Sequence, residues 1–170
     1  MPVLWRRGSR IMAEGGDYRL IAVTLEDRAP RDHNHAIARE REIALYDLIE
    51  NNFFKPLQSP GGPYKLVLGI EENRLVFNIY LANGEHHGTC ILSLTPLRTV
   101  IKDYFAICDS YVKAIPDQAP SRIETIDMAR RGIHDEAAFI LQERLGGKIC
   151  VDIDTARRLF TLICVLHLRG

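Results

Sequence analysis

The sequence predicts an α+β domain with helices packed on one face of a mainly antiparallel sheet, and three observations carry that expectation. Between Tyr64 and Leu94 the β-rich runs YKLVLGI, RLVFNIYL and TCILSL are separated by the polar segments EEN and ANGEHHG, the pattern of a three-stranded antiparallel meander. Two helical patterns then follow back to back. One more β-rich run, Arg19–Leu25, precedes the first helical pattern, so the order reads β-α-βββ-α-α-β-α.

Residues Met1–Asp17 have no apolar periodicity and end in Glu-Gly-Gly-Asp, so they are expected to be a flexible extension ahead of a single domain over residues 18–170. Met12 is an alternative start to Met1. After the first strand, Glu26–Asn34 is polar turn chemistry, and Ile37, Ala44, Leu45 and Leu48 recur at helical spacing between His35 and Glu50. Pro56–Pro63 (PLQSPGGP) reads as an exposed loop, and Asn83-Gly84 as a hairpin turn. Thr95-Pro96 is expected to cap a helix running to about Ile115, with Ile101, Tyr104, Phe105, Cys108, Tyr111, Val112 and Ile115 on its inner face. A Ser121-x-x-Glu124 capping box opens the longest helix, which Gly146-Gly147 ends. Lys148–Ile153 holds a short strand, and Asp154 is placed to cap a final helix, Thr155–Leu168, that is apolar almost all the way round.

Composition narrows the function classes. The 170 residues carry no net charge, 22 basic residues balancing 22 acidic ones, so no overall field draws the chain to nucleic acid or anionic lipid. Its longest largely apolar run, Leu159–Leu166, is far short of the roughly 20 residues that span a bilayer. The N-terminus lacks the apolar core and cleavage site of a secretory signal, which implies the cytoplasm. Cys90, Cys108, Cys150 and Cys164 are widely spaced within apolar runs and read as free thiols, not as a disulfide framework or a zinc site.

The segments ILSLTPLRTVIKDYFAICDSYVKAI, IETIDMARRGIHDEA, LQERLGGKI and DIDTARRLFTLICVLHLRG together resemble the uncharacterised bacterial family UPF0262. Earlier segments, RLIAVTLE, REREIALYDLIENN, GPY and NRLVF, fit the same pattern in one register from about Arg19 to Gly170. The resemblance implies a small cytoplasmic bacterial protein of one domain. It implies no activity, substrate, cofactor or catalytic residue.

The residues themselves suggest one constellation, Asp127, Arg130, Arg131, His134, Asp135 and Glu136 of the long helix. In the long helix Asp127, Arg131 and His134 share an edge beside the apolar stripe of Ile123, Ile126, Ile133, Ala137 and Leu141, and Arg130 falls within the stripe. An arginine on an apolar face needs a carboxylate or a bound anion, because an unpaired buried charge costs several kcal/mol. Arg41 repeats the pattern on the first helix, and Arg157 and Arg158 stand in the first turn of the last, against the helix dipole. If these elements converge, Arg41, Arg130, Arg131 and Arg157 form a cationic pocket for a phosphate or carboxylate, with His134 available for proton transfer. The simpler account pairs the arginines structurally with acids such as Asp103, Asp127 and Asp154.

No phosphate-loop, dinucleotide, serine-hydrolase or zinc-protease signature occurs, and no catalytic residue is assigned. His33-x-His35 and His86-His87 lie in polar segments without a third ligand, so no metal is assigned, nor any cofactor. Tyr104, Phe105 and Tyr111 are placed on a packed face, which disfavours a base-stacking role. The leading expectation is a non-catalytic binding or regulatory domain with a protein partner, homo-oligomers included. A small-anion binding protein or enzyme is the alternative.

Overall fold

The computed structural model describes residues 16–26, 35–114 and 119–168, apart from the side chains of residues 35–38, 111–114 and 168. In chain order the elements are β1 (Leu20–Glu26), α1 (His35–Glu50), β2 (Phe54–Pro56), β3 (Tyr64–Glu71), β4 (Arg74–Leu81) and β5 (His86–Ser93). A 3-10 turn (Thr95–Leu97), α2 (Arg98–Ala114), α3 (Pro120–Leu145), β6 (Ile149–Val151) and α4 (Ile153–Leu168) follow. The α+β class and the antiparallel meander are as the sequence predicts. Strands β3, β4 and β5 pair antiparallel, and β1 joins the free edge of β3 in parallel, giving the order β1-β3-β4-β5.

Period-two alternation decides which face of this sheet is covered. Leu66 and Leu68, Leu75, Phe77 and Ile79, and Cys90 and Leu92 are buried on one face. Helix α4 packs against β3, α1 and α3, burying Ala156, Leu159, Phe160, Leu162, Ile163 and Val165, as its all-round apolar composition requires. Ala44 and Leu48 of α1 are buried as expected, and Ile37 lies outside the described side chains. On α2, Ile101 and Tyr104 are buried and Phe105 and Cys108 half-buried, whereas Tyr111, Val112 and Ile115 fall outside the described side chains. So do residues 1–15, which hold most of the expected extension, and His33 and His35.

Several local expectations are corrected. Pro56 is buried in β2, which pairs antiparallel with β6 as a separate two-stranded ribbon, so only the residues after it form the loop. A three-residue strand is too short to show periodicity. Thr95 is not a side-chain cap: the chain first makes the 3-10 turn, and the Thr95 hydroxyl instead accepts from Asn73 Nδ2 at 3.2 Å. Ser121 lies inside α3, whose N-cap is Ala119 without a side-chain bond, because Pro120 takes the first helical position with its φ already set. Asp152, not Asp154, caps α4, its Oδ1 accepting from Thr155 N at 2.8 Å. The helix therefore starts two residues earlier than expected, and Arg157 and Arg158 move into its second turn. His86 and His87 belong to β5, not to a turn. His86 meets the Tyr80 ring edge-on at 5.2 Å.

Both glycine punctuators are where the backbone needs them. Gly84 has φ +93 in the β4–β5 hairpin, and Gly147 has φ +86 after α3, where Gly146 N closes on the carbonyls of Gln142 and Glu143.

Candidate functional site

Four helices meet around His134, and their polar side chains form a cluster on the border of the core. Helix α3 carries Asp127, Arg130, Arg131 and His134 at the spacing that sets 127, 131 and 134 along one edge and turns 130 inward. The exposures follow this geometry: the Arg130 side chain is 35% exposed and that of Arg131 74%. Arg130 Nη2 donates to Asp127 Oδ1 at 3.2 Å, and its Nη1 lies 3.9 Å from Glu40 Oε1 of α1. Arg131 pairs with the other Asp127 oxygen at 3.0 Å.

The His134 ring lies between two aromatic rings, tilted 30° over Tyr104 of α2 at 4.8 Å and edge-on to Phe160 of α4 at 5.6 Å. Its Nε2 is 3.5 Å from the Thr161 hydroxyl. Burial, reinforced by the positive charges of Arg130 and Arg157, holds its pKa down at about 4 against the opposing pull of Asp135. The imidazole is therefore neutral at pH 7. Arg157 of α4 binds Asp135 at 2.5 Å and Asp154 at 3.0 Å, joining α4 to α3.

Burial also governs the nearby acids of weak strength. It raises the Tyr104 hydroxyl, which donates to Glu40 Oε2 at 3.5 Å, and the Glu40 charge pushes in the same direction. The Cys108 thiol is raised by burial, and Cys164 well above the ordinary thiol range for the same reason. Away from the junction, burial lifts Cys90 and takes Cys150 to about 11. No thiol here is activated for nucleophilic attack, because burial disfavours the thiolate.

The structure thus brings Arg130, Arg131, His134 and Arg157 to one region, each arginine on a carboxylate. Arg41 is half-buried on α1, and it is the neighbouring Glu40 through which that helix reaches the cluster. Of the acids named from sequence, Asp127 and Asp154 are partners, whereas Asp103 is exposed on α2. Sequence reasoning placed Asp135 in the constellation without pairing it with Arg157, missed Glu40 and Thr161 as members, and placed Tyr104 only in the core. The i,i+3 and i,i+4 spacing of acids to arginines was legible for Asp127, but the α1–α3 and α3–α4 pairs depend on packing. Arg158, the remaining anomaly, donates to the Asn51 carbonyl at 3.4 Å just beyond the end of α1.

Among the described residues no group of three or more His, Cys, Asp or Glu side chains is arranged to hold a metal ion. No helix among them is long and apolar enough to cross a membrane. The four cysteines are free thiols, Cys90 and Cys164 buried and Cys108 and Cys150 half-buried.

A mixed sheet under four helices with an ion-paired junction defines an α+β protein whose polar centre is built between helices. The model of a family described as an uncharacterised protein family, UPF0262, matches residues 17–169, and the chain belongs to that family. It is 54% identical over 155 residues to a UPF0262 protein of Rhizobium etli, covering 91% of this chain and 98% of the relative. A UPF0262 protein of Brucella canis is 54% identical over 153 residues, covering 89% of this chain and 95% of its own length. One from Allorhizobium ampelinum is 52% identical over 155 residues, covering 91% and 98%. No solved structure matches the chain.

Proposed function

We propose that this protein acts by binding and not by catalysis, as a cytoplasmic regulatory or adaptor domain over residues 18–170. The observation that carries the reading is the resting state of the cluster around His134. Its base is held neutral with a pKa of about 4, its thiols and phenol are pushed away from ionisation by burial, and its arginines face Asp127, Asp135 and Asp154. A general base for chemistry at neutral pH wants a pKa near the working pH, and this histidine lies well below it. The free thiols fit a reducing compartment, and the zero net charge favours a protein partner, a second copy included, over nucleic acid.

An NMR titration of the His134 ring tests this reading. A pKa near 4 in the intact protein supports it, and a pKa of 6 or above overturns it, as that value would restore a working acid–base group. Recovery of a specific protein partner from lysate at low salt is the complementary expectation.

A second reading, an anion site built from Arg130, Arg131, His134 and Arg157 with Arg41, is favoured by the convergence of the Arg130 and Arg157 charges on His134. It requires an anion to displace carboxylates already in place. Thermal shift with inorganic phosphate decides it: a rise that Arg130→Ala abolishes would support the site, and no rise would remove it.

A further inference from the structure

The β2–β6 ribbon carries a second positively charged feature, remote from the His134 cluster and independent of the reading given for it. In the ribbon Lys55 pairs with Cys150, and Leu57 N donates to the Lys148 carbonyl at 2.9 Å. Alternation puts Phe54 and Pro56, with Ile149 and Val151, on the face that is buried in the core. Lys55, Leu57, Lys148 and Cys150 therefore share the opposite face, with the two lysines on a diagonal of roughly 7–8 Å between backbones.

This face is the floor of a cleft of about 610 Å³ between the β2 loop and the turn after α3. That volume lies within the range of roughly 300–1,000 Å³ typical of small-molecule sites. Tyr18, Ser59 and Gln142 are among its walls. The composition is that of a ligand site: an exposed apolar side chain in Leu57, an aromatic ring, neutral hydrogen-bonding groups and two cations.

Among the described residues neither cation faces a carboxylate. Lys55 Nζ sits 4.9 Å from the centre of the Tyr18 ring, and Lys148 Nζ donates to the Ile91 carbonyl at 3.3 Å. Both partners are uncharged, and among the described residues neither lysine is in an ion pair. The arginines of the helix junction, by contrast, each face a carboxylate. The carbonyls at the end of α3, which would repel an anion, are engaged: those of Gln142 and Glu143 by Gly146 N and that of Leu145 by Lys148 N.

We propose that this cleft binds a small organic anion, with its carboxylate or phosphate group between Lys55 and Lys148 and its apolar body against Leu57 and the Tyr18 side of the cleft. An anionic headgroup reached by both lysines gains two charge-assisted hydrogen bonds, roughly twice as strong as those between neutral groups.

The test is calorimetric titration of the full chain with adenosine monophosphate and with benzoate, and with the uncharged counterparts adenosine and benzamide. Saturable binding of at least one anion is expected, with at least about tenfold weaker binding in both Lys55→Met and Lys148→Met and no change in Lys65→Met. Preference for the phosphate or the carboxylate probe identifies which headgroup the cleft takes. Equal binding of the uncharged probes, retention of affinity in both lysine variants, or no saturable binding up to about 10 mM would overturn the proposal. Should Lys148→Met fold poorly through loss of its bond to Ile91, backbone amide shifts of Lys55, Lys148 and Cys150 in the unaltered protein on adding each anion supply the same decision. Their failure to move would also overturn it.

Discussion

Asn52 pairs with the backbone of Leu20 as a neighbouring strand would: its Oδ1 accepts from Leu20 N at 2.7 Å, and its Nδ2 donates to the Leu20 carbonyl at 3.0 Å. The same Nδ2 donates to the Leu48 carbonyl at 2.7 Å, so one amide closes the end of α1 and occupies the outer edge of β1. An edge strand with unpaired backbone groups is a site for unwanted pairing, and Asn52 covers its first residue.

Replacement of Asn52 tests that double role. Asn52→Ala is expected to lower stability by about 2–3 kcal/mol, because the fully buried Leu20 loses partners for both its N–H and its carbonyl. Asn52→Asp should be worse at neutral pH than under acid conditions, since an ionised carboxylate accepts from Leu20 N but repels the two carbonyls. Urea denaturation of both variants at pH 7 and at pH 4 measures the difference.

His134 should impose an acid sensitivity of known sign. Its folded pKa of about 4 lies below the ordinary value of 6.5, so the unfolded chain binds the proton first as pH falls. Stability from this group is full above pH 6.5, declines between about 6.5 and about 4, and levels off below. The whole decline is roughly 3 kcal/mol by linkage. His134→Phe keeps a ring between Tyr104 and Phe160 and should flatten this part of the profile, as read from denaturant midpoints between pH 7 and pH 4.

The bridge from Arg157 to Asp135 and Asp154 should contribute little by itself. The Arg157 side chain is 39% exposed and that of Asp135 61%, so solvent screens the pair. A double-mutant cycle with Arg157→Ala and Asp135→Ala is expected to give a coupling of about 1 kcal/mol or less, shrinking in high salt. A coupling that survives high salt would instead mean that the pair is effectively desolvated.

Thiol reactivity follows burial. Cys90 and Cys164 are expected to resist labelling at neutral pH until the chain unfolds, and Cys150, with its pKa near 11, to react slowly despite partial exposure. Labelling kinetics with and without denaturant, resolved by mass spectrometry, check each position. Rapid labelling of Cys108 in the folded protein would contradict the burial that holds its thiol protonated beside Tyr104.

The α+β class, the meander, the bounds of α1 and the stop at Gly146-Gly147 were determined by the sequence itself. Each depends on local chemistry: period-two runs, helical spacing, and glycine where φ is positive. Family membership was legible too, because its pattern extends through the domain in one register. Tertiary structure decided the rest. The ribbon of Phe54–Pro56 with Ile149–Val151 joins segments far apart in the chain, and neither segment is long enough to show its own period. Caps at Ala119 and Asp152 depend on where the preceding strand or loop releases the chain. Glu40 reaches Arg130, and Asp135 reaches Arg157, only because α1, α3 and α4 pack together, so sequence could pose the question of what balances those arginines without naming these partners. The lysine pair at Lys55 and Lys148 was invisible for the same reason: a charge's neighbours across a fold are set by packing, and local spacing carries no record of them.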